Sequence, residues 1–344
     1  MPKRYNRFYL VIIADYNDDD AHGVVHDNLY YWFDDQDLGI EDYDRVDVSA
    51  FNTVETGYVL SRRALNPLSP SRRQVFFVNT APRMDDTGKR ATNQGEHFVW
   101  AELRNGKQVF AVNSGHSLSF IKPEIAALRK FNIPDNPEEI PLLVEAFRSA
   151  AGEQKGRSVG VGQFRSGFVY PIVVAQSLAG SNDAISPRFT SLIGAEIGAD
   201  SIPDIPADAV VFRDGYGNLK TSIAPATLAG ATGKFAVVGC NGLEIVAHIT
   251  SAIFDVPLHH FSCAPGSTVL VYSDGTRRQL VEIALRGGRA AKALSLSKAE
   301  SLPWLPEPGD PITVRIAGEA DLRRLGYAQD GTPPPRLLEK ALRS

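Results

Sequence analysis

The chain has 344 residues, 43% of them hydrophobic and 22% charged, which excludes wholesale disorder and predicts two domains rather than one compact core. Its formal net charge is −4, with 36 Lys and Arg against 40 Asp and Glu. It lacks the basic field that duplex binding needs, so no nucleic-acid partner is expected. No run is long and apolar enough to span a bilayer, and the apolar stretch after Met1–Arg7 is too short for a signal sequence, so a cytoplasmic protein with no membrane partner is expected.

In chain order, Phe8–Ala14 (F-Y-L-V-I-I-A) is a continuous apolar run, the mark of a strand covered on both faces of a mainly parallel sheet. Val25, Leu29 and Phe33 then recur at helical spacing and predict a helix over His22–Phe33 that packs back on that strand. Further strands are predicted at Val46–Ala50, Gln74–Asn79, Phe98–Leu103 and Gln108–Val112. Helices are predicted near Val54–Leu65, Glu124–Lys130, Ile140–Ala150 and Tyr170–Leu178. This alternation predicts an α/β domain over residues 1–190.

From Gly180 to Ala207 the composition shifts to Ser, Pro, Ile and Gly, with Pro187, Pro203 and Pro206, and residues 191–207 read as a linker. Short β-rich runs follow at Ala209–Phe212, Phe235–Val238, Leu243–His248, Thr268–Tyr272, Gln279–Ile283 and Ile312–Ile316. Their spacing predicts an antiparallel β-barrel domain, or a sandwich, over residues 208–318. Residues 319–344, with Thr332-Pro333-Pro334-Pro335 and a short basic helix, read as a surface tail. Cys240 and Cys263 are expected to be reduced, buried thiols.

The richest polar stretch is Arg213-Asp214-Gly215-Tyr216-Gly217-Asn218. Asp accepts hydrogen bonds while Asn both donates and accepts, so Asp214 and Asn218 can converge on an amine-bearing ligand. The same residues also suit a plain hairpin turn. A second acidic loop, Asp15-Tyr16-Asn17-Asp18-Asp19-Asp20, follows the first predicted strand, where open α/β sheets bind ligands. As a calcium loop it fails, because the required Gly is Asp20 and the closing Glu is His26. As a phosphatase nucleophile loop it has Asn17 in place of the second carboxylate. A third reading gives Asp15 the vicinal hydroxyls of a ribose, while Asp18–Asp20 suit the start of a helix. His22 and His26 have the spacing of some zinc sites but lack the Glu of H-E-x-x-H, and helix packing accounts for them equally. Gly152–Gly162 is a glycine-rich loop without the ending of a phosphate loop.

Several of these pieces, in this order, resemble the S-adenosylmethionine-dependent halogenase and hydroxide adenosyltransferase (S-adenosylmethionine hydrolase) family. Ala14–Asp20 is similar to the family's T-D-F-G-x-x-D loop, Thr53-Val54-Glu55-Thr56-Gly57-Tyr58 to its D-V-x-x-G-A helix start, and Val112–Ser117 to P-D-N-G-L-L. Arg213–Leu219 is similar to I-D-x-F-G-N-L, and Cys240-Asn241-Gly242-Leu243-Glu244-Ile245-Val246 to N-S-x-G-x-L-E-I-A. The resemblance implies an N-terminal α/β domain, a C-terminal β-barrel and a homotrimer. It also implies an adenosyl ligand held by Asp15 at the ribose and by Asp214 and Asn218 at its other end, with Asn113 and Asn241 completing the binding set. S-adenosylmethionine is then substrate or ligand, and neither a metal nor a resident cofactor is expected. Displacement at C5′ expels a neutral thioether, so the site's task is to position and partly desolvate the nucleophile. No catalytic residue is assigned. Ala81 stands where water-using members carry Asp, and Phe164 or Arg165 stands where they carry His. Two alternatives follow: an inactive adenosyl-ligand sensor, or a metal-dependent phosphatase built on Asp15.

Overall fold

A computed structural model of the chain describes residues 6–68, 73–80, 97–133, 165–180, 193–294 and 305–342. The chain is a mixed α/β protein with two seven-stranded sheets, divided between compact units Met1–Asp204 and Ile205–Ser344.

In the first unit, β1 (Asn6–Ala14), β2 (Leu38–Asp47), β3 (Gln74–Asn79), β4 (Phe98–Leu103), β5 (Gln108–Val112), β6 (Ile125–Phe131) and β7 (Ile193–Glu196) lie in the order β2-β1-β3-β5-β4-β6-β7. Helix α1 (Asp19–Asp35) follows β1 and α2 (Thr53–Ala64) follows β2. A short α3 (Arg165–Phe168) leads into α4 (Tyr170–Gly180). Phe8, Leu10, Ile12 and Ala14 of β1 face Val25, Leu29 and Phe33 of α1 and Ile172 and Val173 of α4. The alternate residues Val11 and Ile13 are just as buried. Covering both faces is what makes the β1 sequence apolar throughout.

The sheet is parallel across β2-β1-β3-β5 and antiparallel across β5-β4-β6-β7. It is therefore mixed, where the sequence suggested mainly parallel. The cause is local: β4 and β5 are joined by a tight turn with Gly106 at φ 78°, and so short a link permits only antiparallel pairing. Two element assignments also change. The segment expected as a helix over Glu124–Lys130 is strand β6, because an unpaired edge of β4 takes it up; a seven-residue run with Ile125, Leu128 and Phe131 fits either period. Of the strand expected at Val46–Ala50 only Val46 and Asp47 belong to a strand, the end of the longer β2, whose residues Glu41, Asp42, Asp44 and Arg45 carry the charge of a sheet edge. Within the expected linker, residues 193–196 form β7 and pair with β6. The helix expected at Ile140–Ala150 and the Gly152–Gly162 loop lie outside the described residues.

The second unit has β8 (Val210–Arg213), β9 (Leu219–Thr221), β10 (Phe235–Cys240), β11 (Leu243–Ile249), β12 (Phe261–Val271), β13 (Arg277–Leu285) and β14 (Ile312–Ile316) in the order β14-β10-β11-β12-β13-β9-β8. Five of its neighbouring pairs are antiparallel and β11–β12 is parallel, so this sheet is mixed as well. Its two edges meet near Ala209 and Pro311, through one antiparallel bridge and three backbone bonds: Val210 N–H to the Asp310 carbonyl (2.9 Å), Gly309 N–H to the Val210 carbonyl (2.8 Å) and Ile312 N–H to the Asp208 carbonyl (2.8 Å). That makes it half-closed. Ile245, Ala247, Ile249, Phe261, Cys263, Val281 and Ile283 line the interior. Cys240 and Cys263 are free and buried, and burial pushes both thiols up to about 12.

The expected surface tail packs on this sheet. Helices α5 (Ala290–Ala293), α6 (Glu319–Leu325) and α7 (Pro335–Leu342) complete the unit, and Ala341 enters the core while Leu322 and Tyr327 cover Val246. Buried contacts from Leu322, Tyr327 and Ala341 outweigh the local signal of three consecutive prolines. Among the described residues no helix is long and apolar enough to cross a membrane.

One buried cation in the first unit has a structural task. Lys107, 3% exposed, donates from Nζ to the carbonyls of Arg63 (3.4 Å), Ala64 (2.8 Å) and Asn66 (3.5 Å). These carbonyls lie at the C-terminus of α2, where a cation meets the negative end of the helix dipole; the Ala64 carbonyl also accepts Asn105 Nδ2 at 2.9 Å, and the Arg63 carbonyl the Asn66 N–H at 3.5 Å. Burial pushes the Lys107 ammonium down to about 8, against the hold of those three carbonyls. Lys107→Met is expected to cost about 1 kcal/mol, the net worth of the lost hydrogen bonding, because the Ala64 and Arg63 carbonyls keep other donors. Chemical denaturation followed by Trp32 and Trp100 fluorescence checks it; an unchanged midpoint refutes the capping role.

Candidate functional site

The chain order of the first sheet creates a topological switch point. The β1-to-β2 crossover steps one way and the β2-to-β3 crossover returns past β1, so right-handed connections place α1 and α2 on opposite faces. Beyond the carboxyl ends of β1 and β3 the backbone therefore diverges, which is where open α/β sheets bind ligands.

Asp15 follows β1 at this point, partly buried. Its N–H bonds to the Asn79 carbonyl at 3.2 Å, and its Oδ2 accepts the Phe51 N–H at 2.8 Å. Phe51 and Asn17 have φ values of 62° and 54°, left-handed conformations that a bulky residue such as Phe adopts only when its surroundings impose them. Next to Phe51, Asn52 caps α2 by accepting the Glu55 N–H at 2.9 Å, so the Asp15 carboxylate and the start of α2 are fixed together. Asn17 turns back, its Nδ2 donating to the Asp15 carbonyl at 3.2 Å, and does not stand beside the carboxylate as the second acid of a phosphatase loop would.

A layer of hydroxyls lies behind this point. Thr56 Oγ1 and Thr80 Oγ1 are 2.7 Å apart, Ser114 Oγ donates to the Thr80 carbonyl at 3.1 Å, and Ser114 and Ser117 hydroxyls are 3.2 Å apart. The His116 N–H donates to Thr53 Oγ1 at 3.1 Å. Asn113, just past β5, receives its place from a 3.0 Å bond of its N–H to the His97 carbonyl. Asp15, Asn79 and Asn113 thus end three successive parallel strands.

Tyr16 lies on the α1 side of the switch point. Burial raises its hydroxyl well above the ordinary phenol range, with Ser166 of α3 and Asn79 as the polar groups beside it. Its ring stands edge-on to His22, 5.0 Å between centroids. His22 Nε2 lies 2.7 Å from Asp47 Oδ1 but off the ring's N–H direction, so this contact is an electrostatic approach rather than a hydrogen bond. Burial, then Arg45, holds the imidazole below its usual value. His26 instead pairs with Asp27 at 3.0 Å and stacks near Tyr30 and Tyr43. The two histidines have separate partners and share no ligand position.

In the second unit Asp214 clamps the β8–β9 hairpin. Its Oδ1 accepts the N–H groups of Tyr216 (3.0 Å) and Asn218 (2.9 Å), and its Oδ2 accepts Asn218 Nδ2 (3.1 Å). Gly217, at φ 81°, lets the chain pass close to the Arg289 side chain. Lys220 Nζ lies 3.6 Å from Asp214 and 2.8 Å from Glu282 Oε1. Asn218 is therefore held rigidly by Asp214, which in turn is backed by a buried cation. Asn241, at φ 56°, and Gly242, at φ 73°, make the β10–β11 turn, and the Asn241 side-chain amide nitrogen is buried without a partner among the described residues. Strands β12 and β13 separate that turn from the Asp214 hairpin in the sheet.

Of the residues expected at the site, Asp15 and Asn113 end the strands on either side of β3 in the first sheet, Asp214 and Asn218 share one hairpin and Asn241 lies in a separate turn; Asn79, Thr80 and Ser166 stand near Asp15 and were not among those expected. A polar residue directly after an apolar strand, as in Val78-Asn79-Thr80, was the available signal; Ser166 had none. Ala81 and Phe164 lie outside the described residues.

No protein-family model matches this chain, and no curated protein matches it. Among solved structures it is similar to an uncharacterized conserved protein from Thermotoga maritima, with a TM-score of 0.57 and 17% identity over 89% of this chain and 100% of that one. It is also similar to a conserved hypothetical protein from Thermus thermophilus, with a TM-score of 0.48 and 15% identity over 90% of this chain and 100% of that one. The first likeness shows a shared fold and assigns no activity.

Proposed function

We propose that the protein binds an adenosyl ligand, S-adenosylmethionine, and hydrolyses it to adenosine and methionine as a homotrimer with an N-terminal α/β domain and a C-terminal β-barrel. The observation that carries this reading is the meeting of Asp15, Tyr16, Asn79 and Ser166 at the switch point of the first sheet. It supports the reading because the acidic loop after β1, which resembles the family's first motif, ends beside these polar groups at the position where open α/β sheets bind ligands. Asp15 takes the ribose hydroxyls, and Asp214 holds Asn218 for the ligand's other end, with Asn113 and Asn241 as further contacts. Water oxygen bonds to C5′, the C5′–S pair leaves with methionine, and the water's proton passes to solvent.

The sensor alternative is favoured by a specific feature: Ala81, and Phe164 or Arg165, stand where water-using members carry Asp and His. Incubating the pure protein with S-adenosylmethionine and assaying adenosine and methionine separates the two readings. Turnover without added metal is the expected outcome. Calorimetric binding without products selects the sensor, and neither binding nor products refutes both. A phosphatase would instead release phosphate from a phosphomonoester only with magnesium, and Asp15→Asn would abolish it. Asp15→Ala and Asn218→Ala should each weaken binding by about 1–3 kcal/mol; equal affinity in both variants removes the site.

A further inference from the structure

The C-terminal segment that follows β14 is held by three successive outward residues of β11. Glu244 Oε2 lies 2.6 Å from Arg324 Nη1, and Val246 packs with Leu322 and Tyr327. His248 lies beneath the loop between α6 and α7, where a side chain at Gly331 would run into the Phe235 ring and His248 Nε2.

Beneath this loop runs a single hydrogen-bonded chain. His248 Nε2 is 2.8 Å from His260 Nδ1, His260 Nε2 is 3.4 Å from Thr332 Oγ1, and Thr332 Oγ1 donates to Asp330 Oδ1 at 2.7 Å. The proton positions follow from its acidic end. Asp330 only accepts, so Thr332 donates to it and accepts from His260 Nε2–H. Neutral His260 therefore accepts at Nδ1, and His248 donates from Nε2. One added proton can be absorbed if His248 moves its own to Nδ1. A second leaves two N–H groups and two positive charges facing each other across 2.8 Å. The titratable neighbours are Asp330, which favours the charged imidazoles, and His259, which opposes charge on His260; β10 contributes only the Phe235 ring, and β12 adds Ser262, whose buried hydroxyl has no partner among the described residues.

We propose that His248 and His260 form an acid-released latch that holds the loop of residues 326–334 on the outer face of β11 and β12, independently of any ligand. Burial holds both imidazoles below their usual value. The latched state thus takes up fewer protons than the released state, so latching is complete above the ordinary imidazole range and is lost as pH falls through it.

Amide hydrogen exchange of residues 326–334 in the full chain, at about pH 7.5 and about pH 5.0 and corrected for intrinsic rates, reads the latch. Opening should rise on the order of tenfold at the lower pH. His260→Gln keeps hydrogen-bonding capacity but cannot take a charge, and its opening should respond less to pH than the wild type, because His248 alone remains to titrate. If that variant does not fold, His248→Gln serves in its place. Equal wild-type protection at both pH values, or an undiminished response in the Gln variant, overturns the proposal.

Discussion

Lys220→Met is expected to lower stability by about 3–5 kcal/mol, the cost of removing one member of a buried ion pair. Lys220 is 8% exposed and Glu282 9%, and their charged atoms are 2.8 Å apart. Met fills much the same volume, so the loss comes from stranding the Glu282 carboxylate among buried neighbours and not from a cavity. Lys220 also reaches Asp214 at 3.6 Å, which ties the pair to the hairpin that presents Asn218. The double variant Lys220→Met with Glu282→Leu should recover most of the loss, because two matched apolar residues carry no desolvation penalty. Thermal melts by circular dichroism provide the test. A single variant as stable as wild type, or a double variant that is worse than the single, shows that the pair does not anchor the strand.

The second large effect is at Gly57. This glycine sits inside α2, where Ala ordinarily favours the helix by about 1 kcal/mol. Here a Cβ would fall inside contact distance of the His116 backbone carbonyl oxygen and lie 3.1 Å from the Phe120 ring. Neither neighbour yields easily: the next N–H along from Ser114-Gly115, that of His116, is tied to Thr53, and Phe120 is fully buried. Gly57→Val should therefore cost about 3 kcal/mol or more, the upper end of overpacking, with Gly57→Ala losing less. Because α2 starts at the Asn52 cap beside Phe51 and Asp15, affinity for the proposed adenosyl ligand should fall together with stability. Denaturant midpoints by Trp fluorescence, compared across the Ala and Val variants, decide it. A rise in stability in either variant means that α2 has room on this face.

Gly57 also shows how far the sequence could be read. Its place in Thr53-Val54-Glu55-Thr56-Gly57-Tyr58 was visible as a motif, whereas the carbonyl that demands a glycine lies on His116, and no local pattern points there. The same division holds at the site. Asp15 is legible because an apolar run ends at a carboxylate, but its orientation depends on the Phe51 N–H, set by a left-handed backbone that no propensity predicts. At the β8–β9 hairpin both readings of Asp214 and Asn218 were legible, and the three bonds from the turn to Asp214 show that the carboxylate organises the loop.

What the amino-acid order determined by itself is the set of elements whose burial repeats along the chain: β1 with its unbroken apolar run, α1 with Val25, Leu29 and Phe33 on one stripe, and the strands of the second unit other than β9 and the first half of β12. Local periodicity suffices there because each residue's burial depends on the face it occupies. Only the tertiary structure decided that 125–131 is a strand, that both sheets are mixed, and that the segment beyond Ile316 packs down rather than trailing as a tail. In each case the deciding partner is distant in sequence: β4 offers β6 an open edge, and β11 offers Glu244, Val246 and His248 to residues more than seventy positions later. Such contacts outweigh intrinsic preferences, which differ by only about 1 kcal/mol per residue.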